Sequence, residues 1–416
     1  MKTQREAPTT PPDVRMRGFA RRTPVEDALR WVDEHALALG SEMVGIGEAA
    51  GRTLAGDVVS AVDVPGFDRA MMDGYAVHSS DCAGASSYNR LPLNVVGEAL
   101  PGRPWESAIP PGRAARVMTG APFPDGPDAV LPVEQTEREG DNVFAVGDVA
   151  SGKNIGRRGE DIAAGQPVLA AGRVLRPQYV GVLSSICVAF VSVVRQPRVR
   201  IVVTGNEILP PGTPPTGFQI ADANSPMLRA LVHRDGAAVT ACGQVEDTPA
   251  AILAAMRDDV DVVLISGGSS VGQEDHAPVL LAEHGQLAIH GVAMRPSSPA
   301  GMGRLGEALV LLLPGNPVSC LCAYDFFAGR AIRRLGGRPA NWPYPTRRLP
   351  LSRKLVSQIG RTDYARVKIV DDQVQPLAIS GASMLSSTTQ ADGFVVIAAG
   401  SEGYPPGAAV DVYLYG

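Results

Sequence analysis

The sequence predicts a multidomain fold of the α/β and β classes, with a doubly wound parallel-sheet domain, β-rich domains and a small C-terminal β-barrel. The 416 residues are more than one ordinary hydrophobic core accommodates. Strand and helix patterns alternate between residues 199 and 336, which is typical of a parallel sheet covered by helices. Short apolar runs between Gly- and Pro-rich turns fill residues 61–172 and 351–416, which indicates β structure.

The composition favours a cytoplasmic protein without nucleic-acid or membrane partners. The formal net charge is -5 and no basic block stands out, so we expect no nucleic-acid surface. The five cysteines are scattered and form no CxxC pair, which favours a reducing compartment. Residues 1–20 are polar and lack an apolar signal region, so we interpret them as a disordered lead-in. The longest apolar runs are too short to cross a bilayer.

The predicted elements follow from caps and hydrophobic spacing. A first helix is predicted from Thr23 to Leu39, with Thr23 as cap, Pro24 at its first position and Gly40 at its end. The predicted α/β strands are Val199–Val203, Ala238–Ala241, Val260–Ile265 and Ala308–Leu313. The predicted helices are Pro226–Arg234, Pro249–Met256 with Thr248 as cap, one ending at Gly285 and one from Asn316 to Gly336. Short strands at Ala365–Val370, Phe394–Ile397 and Ala409–Leu414 predict the C-terminal β domain.

The strongest local signal is the Gly/Ser-rich loop SGGSSVG at 266–272, which follows a predicted strand and precedes a helix. Its glycines let the backbone approach a ligand, and backbone N–H groups at a helix start favour an anion. We therefore predict that it binds substrate through Ser266, Gly267, Gly268, Ser270 and Gly272. An ordinary tight turn is the alternative.

Two further loops follow predicted strands. One is Thr204–Glu207, and the other contains Pro314, Gly315, Asn316 and Pro317, also predicted to bind substrate. Capping of the next helix by Asn316 and Pro317 is the alternative for the second loop. Ligands bind beyond the carboxyl ends of parallel strands, so we expect the three loops to converge on one site.

Three carboxylates fall in or beside these loops, namely Glu207, Asp247 and Asp275. Clustered oxygens with room for water suit Mg²⁺, which neutralises phosphate charge when a phosphoanhydride is cleaved. For Asp247, a simple helix-start role is the alternative. The sequence shows no Ser/His/Asp or Cys/His set, which argues against a nucleophilic hydrolase.

Six ordered motifs together resemble one family. They are MDGYAV at 72–77, MTGAP at 118–122, RRGEDI at 157–162, TGNE at 204–207, SGGSSVG at 266–272 and LPGNPVS at 313–319. In this order they resemble the molybdopterin molybdenumtransferases, the family of bacterial MoeA and the gephyrin E domain. The resemblance extends from about Thr23 to Leu414.

The resemblance implies an enzyme of molybdenum cofactor biosynthesis. It would insert molybdate, its co-substrate, into adenylylated molybdopterin with Mg²⁺-dependent release of AMP. It implies a homodimer, whose active site joins the α/β domain of one subunit to the β-rich domain of the other. The adenylylating enzyme of the pathway and the molybdoenzyme acceptors are the protein partners it suggests.

The resemblance also implies domains and site residues. The domains are residues 21–40 with 188–340 (molybdopterin-binding-like α/β domain), 41–59 with 166–187 (linker domain), 60–165 (β-rich domain) and 344–416 (β-barrel domain). The implied catalytic residues are Asp73, Thr119, Asp161, Glu207, Asp247 and Asp275, of which the last three are the implied metal ligands. The implied molybdate residues are Arg295, Ser298, Pro299, Ser319, Arg366 and Ser383.

Two segments depart from the family pattern. Arg69 and Ala70 follow Asp68, where the family usually has Asn-Ser, and the second departure lies between Gly291 and Pro299. The family commonly carries lysines at the positions of Gly291, Arg295 and Ser298, where this chain keeps a single cation. This motivates an alternative function, a non-catalytic paralogue that binds the adenylylated pterin or a protein partner. A third hypothesis is a nucleotide-binding adenylyltransferase, but this function leaves the acidic residues of the β-rich domain unexplained.

Overall fold

A computed structural model describes residues 22–268, 275–378 and 381–415 of the chain. The chain divides into two compact units. The α/β unit comprises the described residues of Met1–Glu42, Gly51–Thr53 and Val193–Gly416, and the β unit comprises Met43–Ala50 and Leu54–Ser192. The predicted lead-in at 1–20 lies outside the described residues, and the predicted domain boundaries stay predictions.

The α/β unit is built on a six-stranded sheet. In spatial order its strands are Ala238–Val245, Arg198–Thr204, Val262–Ser266, Ala308–Leu313, Gly301–Leu305 and Gln286–His290. The first four are parallel, as predicted, and the last two are added antiparallel at one edge. Ala308–Leu313 is buried at every residue, as expected for a strand covered on both faces. The antiparallel edge pair was not predicted.

Helices cover this sheet. They are Val25–His35, Asn224–Arg234, Pro249–Met256, His276–His284 and Pro317–Ala323. The last of these continues through a π-helical turn at Tyr324–Ala328 into the helix Gly329–Leu335. A short helix, Ser386–Thr389, follows later in the chain. Thr248 caps its helix as predicted, since its side chain accepts from the Ala251 N–H. The prediction that Thr23 caps the first helix is wrong, because Thr23 pairs with Val292 as an isolated β-bridge instead. That helix also ends at His35, short of Leu39.

A second group of strands in the α/β unit forms the C-terminal β domain. Its strands are Thr346–Pro350, Leu355–Val356, Thr362–Val370, Gln373–Ala378, Gly393–Ile397, Gly403–Tyr404 and Ala409–Leu414. Met294–Arg295, from the preceding α/β region, pairs in parallel with the start of Thr362–Val370. This pairing places Arg295 opposite Asp363. Two short parallel strands, Ile208–Leu209 and Ile220–Ala221, complete the unit.

The β unit contains a second six-stranded sheet. In order, its strands are Ala129–Pro132, Gly74–Val77, Arg113–Val117, Leu91–Ala99, Asn142–Ala145 and Thr136–Glu139. Shorter elements are the strands Val58–Val59, Arg69–Ala70, Ile155–Gly156 and Pro167–Leu169, the 3-10 turns Ile46–Glu48, Ser79–Cys82 and Val133–Gln135, and the helix Pro177–Ser185. The strands Ser41–Gly45 and Phe190–Val194 contain residues of both units. The prediction of β structure over 61–172 is confirmed.

Candidate active site

The carboxyl ends of the four parallel strands are level with one another. Thr204 is opposite Val245, and Ser266 is opposite both Val203 and Leu313. The loops TGNE, SGG and LPGNP therefore begin at the same edge of the sheet. The convergence predicted from the sequence is present in the described residues.

Asn224 joins two of these loops. Its amide Nδ2 donates to the Ser266 Oγ at 2.8 Å and to the Gly315 carbonyl at 2.7 Å. Gly267 allows its loop to pack closely against the TGNE loop. Its φ is +97°, and a Cβ at this position would lie 2.4 Å from the Thr204 carbonyl oxygen. Glycine is required there for both reasons. The three loops thus form one packed edge rather than three independent turns.

An acidic cavity of about 710 Å³ opens at this edge. Its wall includes the predicted residues Glu207, Asp247, Gly267, Gly268, Asp275, Pro299, Pro314, Gly315, Asn316, Pro317 and Ser383. Asp222 and Asn224 also line it, although the sequence reasoning missed both. The described lining therefore holds four carboxylates and no lysine or arginine. Such a surface favours a cation.

Asn316 and Pro317 take the cap and first positions of their helix, as the alternative predicted, but side-chain capping does not engage the polar groups of this cavity edge apart from Asp222. Asp247 is not the cap of the Pro249–Met256 helix, because Thr248 occupies that position. Asp275 and Asn316 stand at helix starts, yet neither side chain makes a capping hydrogen bond. Asp222 is the residue that serves a helix start, since its carboxylate accepts from the N–H groups of Asn224 and Ser225.

A cationic cavity of about 690 Å³ adjoins the acidic one and shares Pro299, Pro314 and Asn316 with it. Three guanidinium-bearing residues line it, namely Arg22, Arg295 and Arg361. The predicted molybdate residues Ser298 and Ser319 line it as well. The described lining contains no aspartate or glutamate. The two neighbouring cavities thus carry opposite charge.

Arg295 is held from behind by a buried carboxylate. Its guanidinium is ion-paired with Asp363, whose side chain is fully buried. Asp363 also accepts from the Ser357 Oγ at 2.7 Å and lies 3.4 Å from the Arg361 Nε. The Arg295 Nε and the Ser298 Oγ are buried atoms without a hydrogen-bond partner among the described residues. Buried donors of this kind are normally satisfied, which points to a ligand or water at this wall.

The remaining predicted residues of this unit are placed differently. Ser383 lines the acidic cavity rather than the cationic one. Arg366 has no exposed surface, and burial lowers the pKa of its guanidinium. Its assignment to molybdate stays a prediction. Ser270 and Gly272 lie outside the described residues.

In the β unit, the structure brings Asp73 and Thr119 together. One Asp73 carboxylate oxygen accepts from the Thr119 N–H at 2.7 Å and from its Oγ1 at 2.8 Å. The sheet register is the cause, because Gly74 is opposite Val117 on the neighbouring antiparallel strand. These hydrogen bonds, the backbone one first, hold the pKa of Asp73 below its usual value.

The RRGEDI segment forms surface ion pairs with two aspartates that precede Asp73 in sequence. Arg157 pairs with Asp68 at 2.6 Å, and Arg158 pairs with Asp63 at 2.6 Å. Asp161 is exposed, and no hydrogen bond joins it to Asp73 or Thr119 in the described part of the chain. In the described part of the chain, Asp73 and Thr119 therefore form one hydrogen-bonded pair. The role of Asp161 stays a prediction.

Three family models match successive parts of this chain. The MoeA N-terminal region (domain I and II) matches residues 23–187, the probable molybdopterin binding domain matches residues 200–334, and the MoeA C-terminal region (domain IV) matches residues 348–415. Molybdopterin molybdenumtransferase 2 of Mycobacterium tuberculosis is 37% identical over 363 residues, which cover 83% of this chain and 89% of that protein. The chain belongs to the MoeA family. The predicted transferase class and the role in molybdenum cofactor biosynthesis are confirmed at this level.

Other members of the MoeA family agree in sequence and fold. The molybdopterin molybdenumtransferase of Haemophilus influenzae is 33% identical, over 86% of this chain and 89% of its own. The crystal structure of the molybdopterin biosynthesis MoeA protein of Pyrococcus horikoshii matches with a TM-score of 0.78 and 30% identity, covering 95% of this chain and 100% of that one. The predicted fold class is confirmed. No helix among the described residues is long and apolar enough to span a membrane.

Proposed function

We propose that this MoeA-family enzyme takes adenylylated molybdopterin and molybdate, releases AMP and inserts molybdenum at the pterin dithiolene. The observation that carries the proposal is the pair of adjoining cavities, one lined by four carboxylates and the other by three arginines. A reaction that cleaves a phosphoanhydride with a divalent cation and also accepts an oxyanion needs both environments. The shared residues Pro299, Pro314 and Asn316 support a single substrate path along both.

The acidic cavity fits a magnesium ion that binds together with the substrate phosphates. Within residues 22–268, 275–378 and 381–415, no three Asp, Glu, His or Cys side chains are close enough to hold a metal alone. Magnesium usually keeps several waters and takes one or two carboxylates plus substrate phosphates. One or two of the three carboxylates Glu207, Asp247 and Asp275 would hold it in this way. When bound, it would neutralise phosphate charge as AMP leaves.

The chain's own groups around the acidic cavity would position the adenylylated pterin. Gly267 and Gly268 expose their backbone to the cavity because they have no side chains. Asn224 holds this segment against Gly315 through its hydrogen bonds to the Ser266 Oγ and the Gly315 carbonyl. Backbone N–H groups in such a loop favour phosphate. The remaining substrate-binding residues in this proposal are Pro314, Asn316, Pro317, Ser270 and Gly272.

The cationic cavity would receive molybdate. Arg295 offers a permanent positive charge and a buried Nε donor, and Ser298 offers a buried hydroxyl. Both properties are required when a dianion leaves water. Pro299 and Ser319 complete this wall. Ser383, which lines the acidic cavity, and the fully buried Arg366 are two further proposed molybdate residues. Cytoplasmic location and contacts with the adenylylating enzyme or with acceptor molybdoenzymes belong to the same proposal.

Catalysis would require a homodimer. Asp73 and Thr119, with Asp161, would complete the active site of a second subunit and place a fixed carboxylate near the pterin phosphate or its metal. Met71, Met72 and Met118, the sequence neighbours of this pair, are exposed apolar side chains. Exposed apolar side chains around a polar pair are typical of a surface that is covered in an assembly, and twofold dimers are the commonest assemblies.

AMP release tests the proposal against its rivals. Purified protein is given adenylylated molybdopterin and Mg²⁺, with and without molybdate, and AMP and molybdenum cofactor are quantified. Release of AMP with molybdenum insertion supports the proposal. Tight pterin binding without AMP release would identify a non-catalytic paralogue. In a parallel incubation with molybdopterin, ATP and Mg²⁺, synthesis of adenylylated pterin would identify an adenylyltransferase.

A further inference from the structure

Arg361 reaches the cationic cavity from the C-terminal β domain, whereas Arg295 reaches it from the preceding α/β region. Arg361 immediately precedes the strand Thr362–Val370, whose first residues pair in parallel with the segment that contains Arg295. The Thr362 N–H donates to the Ala293 carbonyl at 2.9 Å, which fixes the backbone next to Arg361. Two arginines from distant parts of the sequence therefore line the same cavity.

A single buried carboxylate holds both arginines. The Asp363 Oδ2 accepts from the Arg295 guanidinium and from the Ser357 Oγ, whereas the Asp363 Oδ1 lies 3.4 Å from the Arg361 Nε. The Asp363 side chain has no exposed surface, while the side chains of Arg295 and Arg361 are 30% and 32% exposed. Each arginine thus has a different carboxylate oxygen as its partner, and both side chains remain partly accessible.

This arrangement suits an anion that has several oxygens. A guanidinium keeps its charge and carries five N–H donors in one plane, so a contact through one of its nitrogens leaves donors for a second acceptor. Two guanidiniums can therefore contact separate oxygens of one tetrahedral oxyanion. Because the buried carboxylate already holds both side chains, less side-chain entropy is lost when the anion binds.

We propose that Arg361 is an oxyanion-binding residue of the cationic cavity and that it acts together with Arg295 on one tetrahedral oxyanion. The inference rests on the proposed molybdate site and adds to it a residue that the sequence motifs did not identify. Its ion pair with Asp363 is part of the arrangement, since this carboxylate is shared between two guanidiniums.

Direct molybdate binding tests this inference without a catalytic readout. Equilibrium dialysis with elemental analysis of molybdenum gives the Kd for wild type, Arg361→Ala, Arg361→Lys, Arg295→Ala and the double variant Arg295→Ala/Arg361→Ala. Arg348→Ala is the matched control, because Arg348 belongs to the same β domain and pairs with Asp411 at 3.3 Å, but is not part of the described cavity lining.

Thermal unfolding of each variant shows whether the fold is retained. If alanine at position 361 disrupts the fold, Arg361→Gln takes its place, since glutamine keeps more of the side-chain volume and removes the charge. The same loss of molybdate affinity is expected of either variant.

We expect Arg361→Ala to raise the molybdate Kd about tenfold, equivalent to about 1.4 kcal/mol. Arg361→Lys should stay within about threefold of wild type, because it keeps the charge but loses the planar set of donors. Arg348→Ala should match wild type. In the Arg295→Ala background, removal of Arg361 should raise the Kd again by about threefold or more, because each guanidinium contacts the anion itself.

Four results would overturn the inference. If Arg361→Ala binds molybdate as tightly as wild type, Arg361 has no role and the proposed function stands. If its removal has no further effect in the Arg295→Ala background, Arg361 only positions Arg295. If Arg348→Ala weakens binding as much as Arg361→Ala, the effect is one of overall charge. If wild type shows no saturable binding, the molybdate site of the proposed function fails together with the inference.

Discussion

Replacing Arg295 by alanine separates two roles that the structure gives to one side chain. Arg295 pairs with the fully buried Asp363 and also lines the cationic cavity. Breaking a buried ion pair from one side costs about 3–5 kcal/mol. Here the arginine side chain is 30% exposed, and Ser357 and Arg361 remain near the carboxylate. We therefore expect a loss of about 2 kcal/mol in the free energy of unfolding, below the range for a fully buried pair.

The assay is urea unfolding followed by tryptophan fluorescence, combined with a molybdate titration of cofactor formation. With a slope of about 2–3 kcal/mol per molar urea, the midpoint should fall by about 1 M or less. The molybdate requirement should rise about tenfold or more, since a hydrogen bond to a charged group contributes about 1.5–3 kcal/mol.

The double variant Arg295→Ala/Asp363→Asn decides between structure and binding. It buries no uncompensated charge, so most of the stability should return while the molybdate requirement stays high. Recovery of both properties would show that Arg295 acts only by holding the fold. An unchanged unfolding midpoint in Arg295→Ala would refute the electrostatic reasoning itself.

Three further predictions concern the metal, the assembly and the oxyanion site. Chelation of divalent cations should abolish AMP release and added Mg²⁺ should restore it, whereas release that persists in excess chelator would remove the metal from the account. Mixing Asp73→Ala with Asp275→Ala should restore activity, because each mixed dimer then has one intact site; no recovery from subunits shown to exchange would refute a shared site. Ser298→Lys should lower the molybdate requirement about tenfold or less, the scale of about 1 kcal/mol for a partly exposed pair, and an unchanged titration curve would place molybdate elsewhere.

The α/β core was predictable because its signals are local. Short apolar runs identified the four parallel strands, and Thr248 with Pro249 marked a helix start correctly. The edge strands Gly301–Leu305 and Gln286–His290 were missed, since glycines at 301 and 303 weaken the strand signal. Gly301–Leu305 pairs with Ala308–Leu313, and Gln286–His290 pairs with Gly301–Leu305, so their places are set by neighbouring strands rather than by their own sequence.

The candidate site was predictable only in part. The three loops and their carboxylates follow from the order of strands and helices, but the cationic cavity depends on contacts between distant segments. Arg361 reaches it because Thr362–Asp363 pairs with Met294–Arg295. Arg22 reaches it through the bridge between Thr23 and Val292, where the local sequence favoured a helix cap. Asn224 carries a signal in its position at a helix start beside Asp222, although its contacts are tertiary.

Asp275→Asn tests most directly whether the acidic and the cationic cavities serve separate steps. This change removes one charge from the acidic cavity and little volume, and it leaves the arginines untouched. Molybdate binding and AMP release are measured on the same preparation, with thermal unfolding as the check on the fold. We expect AMP release to be lost while molybdate binds with wild-type affinity. Normal AMP release with Mg²⁺, or loss of molybdate binding together with AMP release in a folded variant, would contradict this expectation.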